Sequence, residues 1–214
     1  MAVQNEHRLR ELLMVEPDAM LPEGSGPEYW YETLIRLRRA MPFDPEDGML
    51  PVDHAALAHH LLPLAGPLLE GARLEQQVEE GDGRKLFRYT LRLTHGGRCF
   101  TATFFDNSDR FDTNAVLALV NAALEAAGSQ LRYFDFGDLA VLGPLEGVCQ
   151  AGREDFLPLE EANRVYYLVD AKGQLQSVEE DFDEEEEDFD EEEDFAERLV
   201  HQLELGRRRV QVSG

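Results

Sequence analysis

The chain has 214 residues, with 44 acidic side chains against 20 basic ones and a formal charge of −24. A hydrophobic fraction of 43% predicts a folded chain with a real core, in one sizeable domain or two small ones. The charge balance argues against a surface built to grip nucleic acid or anionic lipid, and no apolar run approaches the ~20 residues that cross a bilayer.

Eight of the ten prolines lie between Pro17 and Pro67, so residues 1–70 read as short helices punctuated by proline. The opening stretch mixes charges among its apolar residues, and no signal peptide is expected. Leu9, Leu12 and Leu13 mark a first helix over His7–Val15. A second is expected over Glu28–Met41, where Trp30, Leu34, Leu37 and Met41 draw one apolar stripe and Arg36 and Arg39 point away from it. Asp53 is placed to cap a third, from His54 to Leu62, which Pro63 must break.

Residues 71–177 read as an α+β domain. The period drops to two at Leu74, Gln76 and Val78, again at Phe87, Tyr89, Leu91 and Leu93, and again at Phe100, Ala102 and Phe104. Gly96-Gly97 turns the second strand into the third. Asp112 caps a helix over Thr113–Ala127 that Gly128 stops. Leu131–Phe136 and Leu139–Leu142 form a hairpin about Gly137-Asp138. After a less regular stretch, Arg164–Val169 and Gln174–Gln176 form another. The expected fold is therefore α+β, in the order α-β-β-β-α-β-β and then a further hairpin. Its sheet is mainly antiparallel, with one helix packed on a face.

Residues 178–214 hold an acidic tract and a terminal helix. Fourteen of the sixteen residues from Glu179 to Asp194 are acidic, leaving about −10 on the rest of the chain. The tract contains a seven-residue unit twice over, Glu180–Glu186 and Glu187–Glu193, with Phe182 and Phe189 at the same place in each. Like charges four apart repel by roughly 0.2–0.5 kcal/mol per pair, which favours fraying over the tract and a helix from about Asp194 to Leu205, ended by Gly206.

Motifs for chemistry are sparse. There is no phosphate loop, nucleophile elbow or His-Glu-x-x-His pattern, and no catalytic residue, metal or cofactor is expected. On a helix His54 and His59 diverge instead of sharing a face, so they read as ordinary histidines. His95 lies near Cys99 without a third orienting group, and Cys149 reads as a small buried residue. With only these two cysteines there is no disulfide framework, which suits a reducing cytoplasm. Arg88 and Arg92, like Arg36 and Arg39, are expected to hold the protein's own acid, by clasping the tract or pairing across strands.

The order helix, three strands, helix, two strands and terminal helix in an acidic chain is similar to that of bacterial type III secretion chaperones. Small bacterial toxin-immunity proteins are similar in being acidic α+β domains of this size. These resemblances imply a cytoplasmic binding protein. The charge already points to a non-enzymatic module for a basic protein partner, with Phe182 and Phe189 as apolar anchors and Glu184, Glu185, Glu186, Glu191, Glu192 and Glu193 as the lure. Two alternatives stand beside it. One is a DNA-mimicking inhibitor of a nucleic-acid-binding protein. The other is an enzyme using Asp106, Asp109 and Asp112, between the third strand and the helix.

Overall fold

The computed structural model describes residues 2–15, 30–44, 50–80, 87–106, 110–154, 156–157, 167–169, 175–177 and 191–214. Helix α1 spans Ala2–Leu12 and α2 spans Trp30–Arg36. Both end with a left-handed residue, Met14 and Arg38, each at φ 53°. The amide that follows reaches back five residues in each case: Val15 N–H to the Arg10 carbonyl and Arg39 N–H to the Leu34 carbonyl, both at 2.8 Å. Glycine usually makes this closure.

The single helix expected over Glu28–Met41 is thus cut at Arg36, and Ala40–Pro42 is a strand, β1. Pro42 is the physical reason, since it disfavours helix at the residue before it and sits readily on a sheet edge. Arg39 turns out to cap α1: its Nε donates to the Leu13 carbonyl at 2.9 Å and its Nη2 to that of Met14.

Helix α3 spans His54–Leu61, with the Asp53 carboxylate accepting the Ala56 N–H at 3.3 Å, and a 3₁₀ stretch over Leu62–Leu69 takes over where Pro63 falls. Strands β2 (Arg73–Glu80), β3 (Phe87–His95) and β4 (Arg98–Asp106) follow. Gly96 and Gly97, at φ 58° and 78°, bring His95 opposite Arg98. Helix α4 is Thr113–Ala126, and β5 (Leu131–Asp135) and β6 (Leu139–Pro144) form the expected hairpin. The less regular stretch beyond it contains a helix, α5, over Leu145–Arg153. Strands β7 (Tyr167–Val169) and β8 (Leu175–Ser177) pair antiparallel. The chain then enters α6 (Glu191–Arg209) and β9 (Val210–Ser213).

The fold is α+β, and besides the β7–β8 pair the described residues form two antiparallel sheets, ordered β2-β3-β4-β9 and β1-β6-β5. A first core lies between the inner face of the larger sheet (Tyr89, Leu91, Phe100, Phe104) and α3 and α4. The smaller sheet faces this core with Tyr133 and Leu142 and a second core with Phe134 and Val141. That second core is closed by Leu9 of α1 and Leu13 just beyond it, Leu34 of α2 and Leu37 just beyond it, Val148 of α5, and Phe195 and Leu199 of α6. Residues from all three stretches of the sequence therefore contribute to shared cores.

Against α1, helix α5 presents Gly147. A Cβ there would stand 1.9 Å from the Leu12 carbonyl oxygen, so backbone, not a flexible side chain, must give way. The same joint carries Arg8, whose guanidinium forks the Glu154 carboxylate at 2.7–3.2 Å and holds it down to about 2. Gly147→Ala should lower stability by about 1–3 kcal/mol, seen as a reduced urea midpoint at unchanged slope.

Candidate functional site

Of the expected partner-binding residues, Phe182, Phe189, Glu184, Glu185 and Glu186 lie outside the described residues. Glu191, Glu192 and Glu193 form the opening of α6, so the last residues of the acidic tract are helical. The helix begins earlier than the expected Asp194 and runs past the expected stop. Gly206 does not end it; a Cβ at that position would lie 3.2 Å from Cβ of Ala118, so glycine serves the close approach of α6 to α4.

From Phe195 onward helix α6 is built into the protein. Phe195 and Leu199 are buried in the second core, with the Phe195 ring 6.1 Å from that of Phe136. One turn on, Gln202 lies against the outer edge of β5: its Oε1 accepts the Asp135 N–H at 2.9 Å and its Nε2 donates to the Asp135 carbonyl at 3.1 Å. Asn121 of α4 treats Tyr133 the same way, at 2.7 and 2.9 Å. At Leu131 the N–H reaches Ser129 Oγ and the carbonyl accepts from Arg132. Side chains thus satisfy the edge where another strand would otherwise pair. Asn121 and Gln202 were not singled out as functional in the sequence, although each is an amide set among the apolar residues of a helix.

A shallow pocket lies beside this edge, between α4 and α6, with Asn121, Glu125, Arg132, Tyr133, Gln202 and Arg207 among its lining residues. Glu125 stands between two guanidinium groups, 3.7 Å from Arg132 and 3.3 Å from Arg207.

The loop proposed for chemistry is held by structural contacts at Asp112. Its Oδ1 accepts the Ala115 N–H at 2.9 Å, the cap of α4, and Arg209 donates to Oδ1 and Oδ2 at 2.9 and 2.6 Å. Burial pushes this carboxyl up, but Arg209 and the Ala115 amide outweigh it, and the net shift is downward. Asp106 ends β4, and Asp109 lies outside the described residues. Among the described residues no three His, Cys, Asp or Glu side chains gather as metal ligands, and no helix is long and apolar enough to cross a membrane.

The histidines separate by environment. His59 and His60 are exposed, while His54 is wholly buried, so its reading as an ordinary histidine did not foresee its position. Cys99 is half-buried, with Sγ 3.8 Å from Thr101 Oγ1, and Cys149 is half-buried rather than fully enclosed, its thiol pushed up by burial. Arg88 pairs across strands with Glu79 at 3.1 Å, one of the two roles expected of it. Comparison of the chain with protein-family models, with curated proteins and with solved structures gave no match.

Proposed function

We propose that this protein is a non-enzymatic binding module that neutralises or escorts a basic protein partner in the cytoplasm, as an immunity-type inhibitor or a secretion-chaperone-type carrier. The observation that carries the reading is the continuity of the acidic tract with α6. Ten carboxylates precede, and four more open, a helix whose following turns, at Phe195, Leu199 and Gln202, are fixed in the protein. Charge attached to a rigid body steers encounter with an oppositely charged surface, and Phe182 and Phe189 supply apolar anchors that pure solubilisation does not need. The element order from α3 to α5, helix, three strands, helix, two strands, helix, supports the carrier form of the reading.

Because α6 begins at Glu191, the informative deletion removes residues 179–190 and leaves the helix whole. Capture of basic proteins from the native host at low and moderate salt identifies the partner. Deletion should then weaken binding and flatten its salt dependence, because screening at ~8–10 Å acts on exposed charge. Phe182→Ala with Phe189→Ala should weaken binding at unchanged salt slope. If no basic protein is captured at either salt, or if deletion leaves affinity unchanged, the proposal fails. Competition with duplex DNA for the captured protein would support the DNA-mimic alternative instead.

A further inference from the structure

His54 opens α3 with its ring wholly buried, and among the described residues neither Nδ1 nor Nε2 makes a well-formed hydrogen bond, the Val52 backbone offering only a weak one. Three aromatic rings meet it edge to face: Tyr89 of β3 at 4.6 Å, Phe104 of β4 at 5.0 Å and Phe111 at 6.0 Å between centroids. An apolar side chain would suit this box better, since unmade hydrogen bonds of buried groups are costly.

Every neighbouring element contributes to the charge around the ring. Asp53 precedes it on its own helix, Asp106 comes from the end of β4 and Asp112 from the cap of α4. Tyr89 of β3 presents its phenol, whose oxygen accepts the Val52 N–H at 3.0 Å. From α6 comes Arg209, its guanidinium 5.7 Å over the Phe104 ring and bonded to both Asp112 oxygens. Burial holds the imidazole below its ordinary value against the pull of these carboxylates, and the N-terminal dipole of α3 acts in the same direction as burial.

A proton on His54 places Asp112 between two cations. The Val52 backbone can serve one ring N–H; the second N–H of the imidazolium needs another acceptor, and the Asp112 oxygens it would draw on are those Arg209 holds. Arg209 is the last residue of α6, and the next four residues are β9. That strand is a sheet edge, with Val210 half-buried and Val212 59% exposed. It has little burial of its own, which places it at the low end of local stability, and the Arg209–Asp112 contact fixes the residue that leads into it.

We propose that His54 is an acid sensor for the C-terminal strand: its protonation draws Asp112 from Arg209 and releases β9 from β4. Release uncovers the backbone of β4 over residues 99–102, where β9 now pairs. The device uses no residue of the acidic tract, so it stands or falls separately from the binding proposal.

Hydrogen exchange of the full chain, read on the peptide containing Val210–Ser213 at pH 7.5 and 5.5 and corrected for intrinsic rates, tests it. One proton taken up below the ordinary imidazole value of about 6.5 should lower β9 protection about tenfold across this interval, while α4 stays protected. In His54→Leu, β9 should remain closed at both pH values; in Arg209→Gln it should be open at both. An NMR titration of the His54 ring in the unaltered protein avoids dependence on how well the variants fold. The proposal is overturned if the ring gains its proton while β9 stays protected, if the pH response survives in His54→Leu, or if β9 stays closed in Arg209→Gln.

Discussion

Asp112→Ala should destabilise the protein by about 3–5 kcal/mol, because one carboxylate holds two elements together. As the cap of α4 it satisfies the Ala115 amide, a contact worth about 1 kcal/mol. As the partner of Arg209 it neutralises a guanidinium that is only 10% exposed, while the carboxylate itself is 15% exposed. Truncation leaves that cation without its carboxylate, and the residual exposure places the loss toward the lower end of the range. Asp112→Asn should recover about 1 kcal/mol, since asparagine caps as well as aspartate but carries no charge. Urea unfolding of the two variants separates the roles.

The pH dependence provides an independent check with a definite sign. The Asp112 carboxyl is lowered in the folded protein, so its stabilisation is complete above the ordinary carboxylate value of about 3.9 and is lost as pH falls through the folded value. His54 is also lowered, but as a base: the unfolded chain takes up its proton first, so stability begins to fall below about pH 6.5. Wild type should show both acid arms. Asp112→Asn should flatten the lower one, and His54→Leu the upper one.

Elements whose signals are local were legible in the sequence. The β3–β4 hairpin shows strict alternation on either side of Gly96-Gly97, and α4 carries a capping aspartate at one end and Gly128 at the other. What escaped depends on partners distant in the chain. The ends of α1 and α2 use Met14 and Arg38 where glycine would have marked a stop, so α2 appeared to run on through β1. Gly206 looked like a helix end because its actual partner, Ala118, is 88 residues away. Strand β9 is four residues following three arginines, and only its pairing with β4 makes it a strand. The second sheet was partly hidden for a related reason. Its β5–β6 hairpin was legible, but its third strand is β1, a three-residue segment that only pairing with β6, about a hundred residues away, makes a strand. As for the candidate site, the tract was visible from composition, whereas the burial of His54 and the Asp112–Arg209 contact required the fold.

The closed edge of β5 leads to the second large effect. Gln202→Leu should cost about 2–5 kcal/mol, because it leaves both the N–H and the carbonyl of Asp135 buried without their partner, at roughly 1–3 kcal/mol for each group. Leucine fits the volume and suits the surrounding apolar residues, so the loss would report the hydrogen bonds and not a cavity. Gln202→Glu discriminates further: it keeps an acceptor for the N–H but offers no donor to the carbonyl, and it brings a carboxylate into a buried site already occupied by Asp135. Asn121→Leu should behave in the same way at Tyr133. Since Tyr133 and Asp135 are alternate residues of one edge, the double variant should depart from additivity by about 0.5–3 kcal/mol. An open edge also invites pairing with a second chain, so these variants should associate more than the parent in gel filtration. A cost below about 1 kcal/mol for Gln202→Leu would mean that the Asp135 backbone finds other partners when α6 lacks its amide, and the edge would then be held by packing of α6 on α4 alone.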